Sequence, residues 1–199
     1  MIKLDKLQFA YPGREALFCN FSLHIARGEN ILLMGENGCG KSTLLKLIMG
    51  ILIPQAGSID INGKAISRLQ AEMFTDVYYH SQSTAENLLG ISPEQDWDIW
   101  RICMPDLPPL QENTLFTELS TGQQKQHSQR ILPYLMDKFW LLDEPLASLD
   151  SDAQADLCKL LERKMLSNPG MLLIAHELKH EMLPFTRVLT LKAGVLSYA

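Results

Sequence analysis

The chain has 199 residues, 46% of them hydrophobic and 21% charged, the balance of a folded domain with a sizeable buried core. Lys and Arg total 18 against 23 Asp and Glu, a net charge of −5. That sum argues against broad sequestration of nucleic acid, which needs many cations to displace condensed counterions, though it leaves room for a local basic patch. The four cysteines, Cys19, Cys39, Cys103 and Cys158, are scattered with no C-x-x-C pair and read as reduced thiols rather than a disulfide framework. The opening residues alternate with charges among them and show no signal-peptide pattern. No apolar run approaches the ~20 residues that span a bilayer, so work at a membrane would require another subunit to supply the pore.

Taken in chain order, residues 2–11 alternate apolar and polar side chains and predict a strand. Residues 17–25 predict a second, and the turn ARGEN leads into the apolar run 31–34. The Gly-rich stretch GENGCGKST follows, then a helix from residue 41 to about 50, with Leu44, Leu45, Leu47 and Ile48 to pack. GSIDING, residues 57–63, predicts a hairpin edge, and DVYYH, residues 76–80, a further strand. From residue 83 to about 134 the chain turns polar, carries Trp and Pro, and lacks β-branched runs. A small helical insert is expected there, with a loop at MPDLPPLQEN. Strands at 139–142 and 171–175, a helix over about 153–166 and a closing hairpin in RVLTLKAGVLSYA complete the pattern. Strands alternating with helices predict an α/β fold with an N-terminal antiparallel β element and an inserted small helical subdomain, and GENGCGKST, a match to G-x-x-x-x-G-K-[ST] between strand and helix, marks a P-loop NTPase core. The whole chain, 1–199, is expected to be a single domain, with its core in roughly 1–82 and 136–199 and the helical subdomain in roughly 83–135.

Gly35, Glu36, Asn37, Gly38, Cys39, Gly40, Lys41, Ser42 and Thr43 fill every position of G-x-x-x-x-G-K-[ST] between a predicted strand and a predicted helix. The glycines let the backbone curl so that its N–H groups face phosphate oxygens, and the helix N-terminus adds partial positive charge. Lys41 can reach the β and γ phosphates and the Ser42 hydroxyl can ligate Mg²⁺. Cys39 places a thiol at a helix N-terminus beside Lys41, where a thiolate is favoured, although any small residue would serve the loop. A Mg²⁺-nucleotide site also needs a carboxylate at the end of a neighbouring buried strand. FWLLDEP supplies Asp143 to help hold the metal and Glu144 to polarise the attacking water.

HELKH, residues 176–180, also fits H-E-x-x-H, the zinc-peptidase pattern in which two histidines hold metal and Glu177 acts as base. That site would need both histidines in one helix and a third ligand. His176 instead follows the apolar run MLLIA directly, which places it on the loop leaving a strand, where an imidazole can contact a γ-phosphate.

With these motifs in order, the sequence resembles the ATP-binding subunit of an ABC transporter. LSTGQ, from Leu119 to Gln123, matches the signature LSGGQ except at Thr121; ASLD, ending in Asp150, matches the D-loop; Gln82 stands in the place of the Q-loop glutamine; Tyr11 falls where the family stacks an aromatic ring on adenine; His176 matches the switch histidine. The resemblance implies an ATPase using ATP and Mg²⁺. Glu144, His176 and Gln82 would serve catalysis, and Ser42, Gln82 and Asp143 would hold the metal. Ser120, Gly122 and Gln123 would complete the nucleotide site of a second ATP-binding subunit, alike or related, docked head to tail, with Asp150 linking the two sites. It further implies a transmembrane permease subunit as partner, no nucleic acid, and a peripheral position on the cytoplasmic face of the membrane. Two rivals remain: a soluble ABC-type mechanical ATPase, which commonly carries coiled coils or tandem cassettes, and a P-loop kinase or generic NTP-binding module, which leaves LSTGQ and His176 without a role. Three departures are notable. Thr121 replaces a glycine, Pro133 threatens the helix after the signature with a kink, and the interval from Gln82 to Leu119 is short.

Overall fold

A computed structural model describes residues 1–66, 76–167, 170–175 and 183–198. Two sheets carry the fold. The first is antiparallel and four-stranded, in the order β2-β1-β4-β5, from β1 (Ile2–Ala10), β2 (Ala16–Ile25), β4 (Ala56–Ile61) and β5 (Lys64–Ala65). Its β1 buries Ile2, Leu4, Leu7 and Phe9, two runs of the period-2 pattern offset by one residue around Lys6 at φ 50°, where the register with β2 shifts. The β4–β5 hairpin turns on Asn62 and Gly63 at φ 53° and 83°, the paired left-handed geometry of a two-residue turn.

The second sheet runs β10-β9-β3-β8-β7-β6, from β3 (Asn30–Met34), β6 (Val77–His80), β7 (Phe139–Asp143), β8 (Met171–Ile174), β9 (Arg187–Lys192) and β10 (Val195–Tyr198). All its neighbours pair parallel except the β9–β10 hairpin. The central strands are apolar throughout because both faces are covered: β7 is buried at all five positions and β8 at all four. Register sets Asp143 opposite Ile174 and Leu142 opposite His80, so the strands end level with one another. In open parallel sheets ligands bind beyond these carboxyl ends.

Helix α1 (Lys41–Ile48) lies in the core that joins the two sheets, with Leu44, Leu45, Leu47 and Ile48 all fully buried. Each such side chain contributes about 1.5–3 kcal/mol over an exposed one. A second cluster, built on Leu142, Leu161, Leu173 and Trp140, packs helix α4 (Ser151–Met165) on the other face. This helix begins two residues before the sequence pattern suggested, because the Asp150 carboxylate accepts from Ala153 N at 2.8 Å and caps it.

Between β6 and β7 the chain forms α2 (Pro93–Cys103) and α3 (Thr121–Gln129), with a cluster of their own on Trp97, Leu107, Ile131 and Leu135. Trp97 is the anchor: its Nε1 donates to Pro108 O at 2.7 Å and its ring meets Tyr134 edge-on. Pro133 kinks nothing, since α3 has already ended and the proline sits in the 3-10 turn Leu132–Leu135.

Candidate active site

The cradle lies where β3 hands over to α1. Gly35, Gly38 and Gly40 take φ 149°, 79° and 107°, a range that side chains with a Cβ rarely adopt. At Gly40 a Cβ would also come within 3.0 Å of Leu17 Cδ2 and 3.1 Å of Phe18 Cζ, so the loop nests against β2. Gly40 is the N-cap of α1 and no side chain caps that end. The first-turn N–H groups therefore lack intrahelical partners and are available to an anion. Lys41, 6% exposed, lies back along the loop: its Nζ donates to Gly35 O at 2.7 Å and to Glu36 O at 3.0 Å. A cavity of ≈ 610 Å³ opens over Asn37, Gly38 and Gly40, with Lys41, Ser42 and Thr43 below and Gln82 and Glu144 across from them. Tyr11 closes one side, its hydroxyl 3.0 Å from Thr43 Oγ1 and its ring edge-on to Phe9. Gly35 and Glu36 instead border a shallow hollow against Thr190, Leu191 and Lys192. The Cys39 thiol packs on the core, close to Gly35, rather than lining the cavity.

Asp143 ends β7 at 2% exposure, and its Oδ1 has no hydrogen-bond partner among the described residues. Burial pushes its carboxyl above the usual range, the Ser42 hydrogen bond pulls it back, Glu144 pushes it further up, and Lys41 and Lys46 draw it down. A buried carboxylate oxygen lacking a partner, beside a serine hydroxyl and a lysine, fits a hard divalent cation that takes oxygen ligands. Glu144, the next residue, sits at φ 47°, left-handed backbone that costs a non-glycine residue of order 1–3 kcal/mol. Its Oε2 accepts from Gln82 Nε2 at 2.9 Å. Gln82 itself is held by its neighbours: Asn87 accepts from Ser81 N at 2.8 Å and donates to Ser81 O at 2.8 Å and Ser83 O at 3.2 Å.

Ser120, Gly122 and Gln123 do not line this cavity. Ser120 caps α3 in a reciprocal box with Gln123, Oγ accepting from Gln123 N and Gln123 Oε1 accepting from Ser120 N. Thr121 is the first residue of α3, a helical position open to any residue, so the lost glycine imposes no backbone strain. Gly122 does need to be glycine, because a Cβ there would stand 2.9 Å from Ser148 O.

Beyond the cap, α3 departs from the surface helix that its polar sequence suggests. Lys125, His127, Ser128 and Gln129 are buried, each with a partner. Lys125 Nζ donates to Glu144 O at 2.7 Å and Gln129 Nε2 to Pro145 O at 2.7 Å. His127 Nε2 lies 2.9 Å from Asp96 Oδ2, and Ser128 Oγ 3.1 Å from His80 Nε2. Burial, and next the Lys125 charge, drive the His80 pKa down to about 3, against a small opposing pull from the Ser81 backbone. Unfolded chains take up this proton near pH 6.5, well before the folded protein does. The contribution of His80 is therefore complete above about pH 6.5 and falls by about 1.4 kcal/mol per unit as the pH drops toward 3. Urea unfolding between pH 7.5 and 5 should show this slope in the natural protein and a shallower one in His80→Gln.

The structure thus brings Tyr11, Lys41, Ser42, Thr43, Gln82, Asp143 and Glu144 to one place and sets the signature residues elsewhere on the surface. His176, and with it the HELKH stretch, lies outside the described residues. Arg14, Glu15 and Leu17 also line the cavity; sequence reasoning passed over them, although Arg14 follows Tyr11 in a tight turn closed by Arg14 N donating to Tyr11 O. Lys125 and Gln129 were missed as well, since nothing in a Gln-rich run marks two members as docked on carbonyls.

A glycine loop joining a parallel strand to a helix, with an interior lysine on it and an acidic pair ending a neighbouring strand, defines the fold as that of a P-loop NTPase. The profile of the ABC transporter family matches residues 18–147. Cytochrome c biogenesis ATP-binding export protein CcmA from Rhizobium etli is 28% identical over 184 residues, 84% of this chain and 85% of that one. CcmA from Shewanella frigidimarina is 30% identical over 172 residues, 81% and 80%. Among solved structures, a dimeric ATP-binding cassette in a post-hydrolysis state bound to ADP and Pi superposes with a TM-score of 0.79 at 22% identity, covering 100% of this chain and 98% of that one. CbiO1 from Clostridium perfringens, part of an ABC transporter complex, superposes with a TM-score of 0.76 at 24% identity, covering 98% and 86%. The chain belongs to the ABC transporter family, as an ATP-binding subunit. Its work is ATP-driven transport, and no helix among its described residues is long and apolar enough to cross a membrane.

Proposed function

We propose that this chain hydrolyses the γ-phosphate of MgATP in a head-to-tail dimer, each nucleotide held between the cradle of one chain and the signature turn of the other. The observation that carries this reading is the division of the site. Asn37, Gly38, residues 40–43, Gln82 and Glu144 line one cavity, whereas the exposed Ser120 and the N-terminus of α3 lie apart from it. A second chain docked head to tail would bring such a turn to this cavity. Lys41 and the uncapped start of α1 would bind the phosphates, with Tyr11 beside the base and Ser42, Asp143 and Gln82 around the metal. When bound, Mg²⁺ would neutralise charge developing on the β and γ oxygens. Glu144 would take the proton of the attacking water while Gln82 fixes its carboxylate. His176 would act at the γ-phosphate, and residues 83–135 would form a helical subdomain. On the cytoplasmic face of a membrane, closing and opening of the dimer would drive a separate permease subunit.

Mixing two inactive variants tests the sandwich. Lys41→Met spoils one half of each composite site and Ser120→Arg the other. Random pairing makes half of the dimers mixed, each with one intact site, so the mixture should regain roughly a quarter of the natural ATPase rate. A mixture no faster than its components overturns the shared site. Recovery of a membrane subunit with the chain from detergent extracts tests the coupling.

A further inference from the structure

We infer that Lys125 and Gln129 are positioning residues for Glu144, clamping its backbone from the signature helix so that this helix and the water-activating carboxylate move together. The inference rests on the reading of Glu144 as the base. Its backbone lies at φ 47°, which a residue with a Cβ keeps only where its surroundings hold it. Ile174 O accepts from Glu144 N at 3.0 Å and Ala147 N donates to Glu144 O at 3.2 Å, which are ordinary loop contacts. The further hold comes from α3. Lys125 and Gln129, one helical turn apart and so on one face, are 2% and 8% exposed. Their donors rest on two consecutive carbonyls, those of Glu144 and Pro145. An ammonium on the Glu144 carbonyl fixes the peptide from which that side chain springs, and Gln82 fixes the carboxylate end.

The same helix is capped at its N-terminus by Ser120, where the other chain's nucleotide is proposed to bind. Lys125 is its fifth residue, about 7 Å along the axis at 1.5 Å per residue. A phosphate engaged at the start of α3 therefore bears on the local Glu144, which serves the chain's own nucleotide. This gives the two composite sites a mechanical link in addition to any contact between them.

The test is steady-state ATPase with nucleotide-binding measurements on the full chain, for Lys125→Met, Lys125→Arg, Gln129→Met and, as reference, Glu144→Gln. Lys125→Met should lower kcat by about 10- to 100-fold, as expected for a misplaced reacting group, with KM within about threefold of the natural value. Lys125→Arg, which keeps a long charged donor, should recover most of that loss. Should Lys125→Met fail to fold, Gln129→Met decides, with an expected fall in kcat of about tenfold. Natural kcat in whichever of these folds, a loss confined to KM, or Lys125→Arg as slow as Lys125→Met would overturn the inference. Natural turnover in Glu144→Gln would instead remove the base on which it rests.

Discussion

Glu144→Gln should slow ATP turnover by about 10²- to 10⁴-fold, the usual contribution of a positioned general base, while leaving ATP binding intact. The substitution is nearly isosteric and retains an oxygen that can accept from Gln82, so the contact seen at 2.9 Å can persist. What disappears is the negative charge and the capacity to take a proton. Beside Asp143, whose carboxyl Glu144 pushes upward, losing that charge also relieves like-charge repulsion. Binding should therefore be equal or slightly tighter, and the triphosphate complex should accumulate as a dimer visible by size-exclusion chromatography with light scattering. A variant that still turns over at the natural rate, or that stays monomeric with MgATP, would contradict the assignment.

The second large effect is expected at Lys41. Replacing it with Met removes a charged donor with only 6% exposure and should weaken ATP and ADP binding by about 10- to 100-fold, since hydrogen bonds to charged groups contribute roughly 1.5–3 kcal/mol each. AMP should be much less affected if the lysine reaches only the distal phosphates. Without nucleotide the same side chain donates to Gly35 O and Glu36 O. Its loss should also loosen the loop and lower the thermal midpoint of the free protein. Titration of ATP, ADP and AMP by calorimetry separates the two roles, and an ATP affinity equal to that of the natural chain would refute the assignment.

The α/β core was legible because its signals are local. β7 and β8 are short apolar runs between turn residues, and the cradle names its own flanks, a strand before and a helix after. The ends were less so: α4 starts at Ser151 rather than near residue 153 because Asp150 caps it, a contact that hydrophobic periodicity does not register. The resemblance brought Gln82 and Glu144 into one candidate site, and the structure sets them in hydrogen-bond contact across 62 positions of sequence. Arg14 and the docked face of α3 stayed hidden for a different reason. An arginine in a turn and a lysine among glutamines both read as solvated, and only tertiary contacts distinguish Lys125 on Glu144 O from a lysine in water. Thr121 was the opposite case. It departs from the family signature by replacing a glycine, and its place at the first turn of α3 is one that needs none.

The way α3 is seated also governs how it can be unseated. A helix held by interlocked hydrocarbon comes away all at once, because parting the surfaces admits water along the whole seam. Here the grip includes separate donors on carbonyls, and water can take over each bond at a net cost of about 1 kcal/mol for the Gln129 amide and roughly 1.5–3 kcal/mol for the Lys125 ammonium. Such a fastening gives way one bond at a time and re-forms unaided, like a zip rather than a glued joint, so an opening at one carbonyl leaves α3 still joined to the loop at the next.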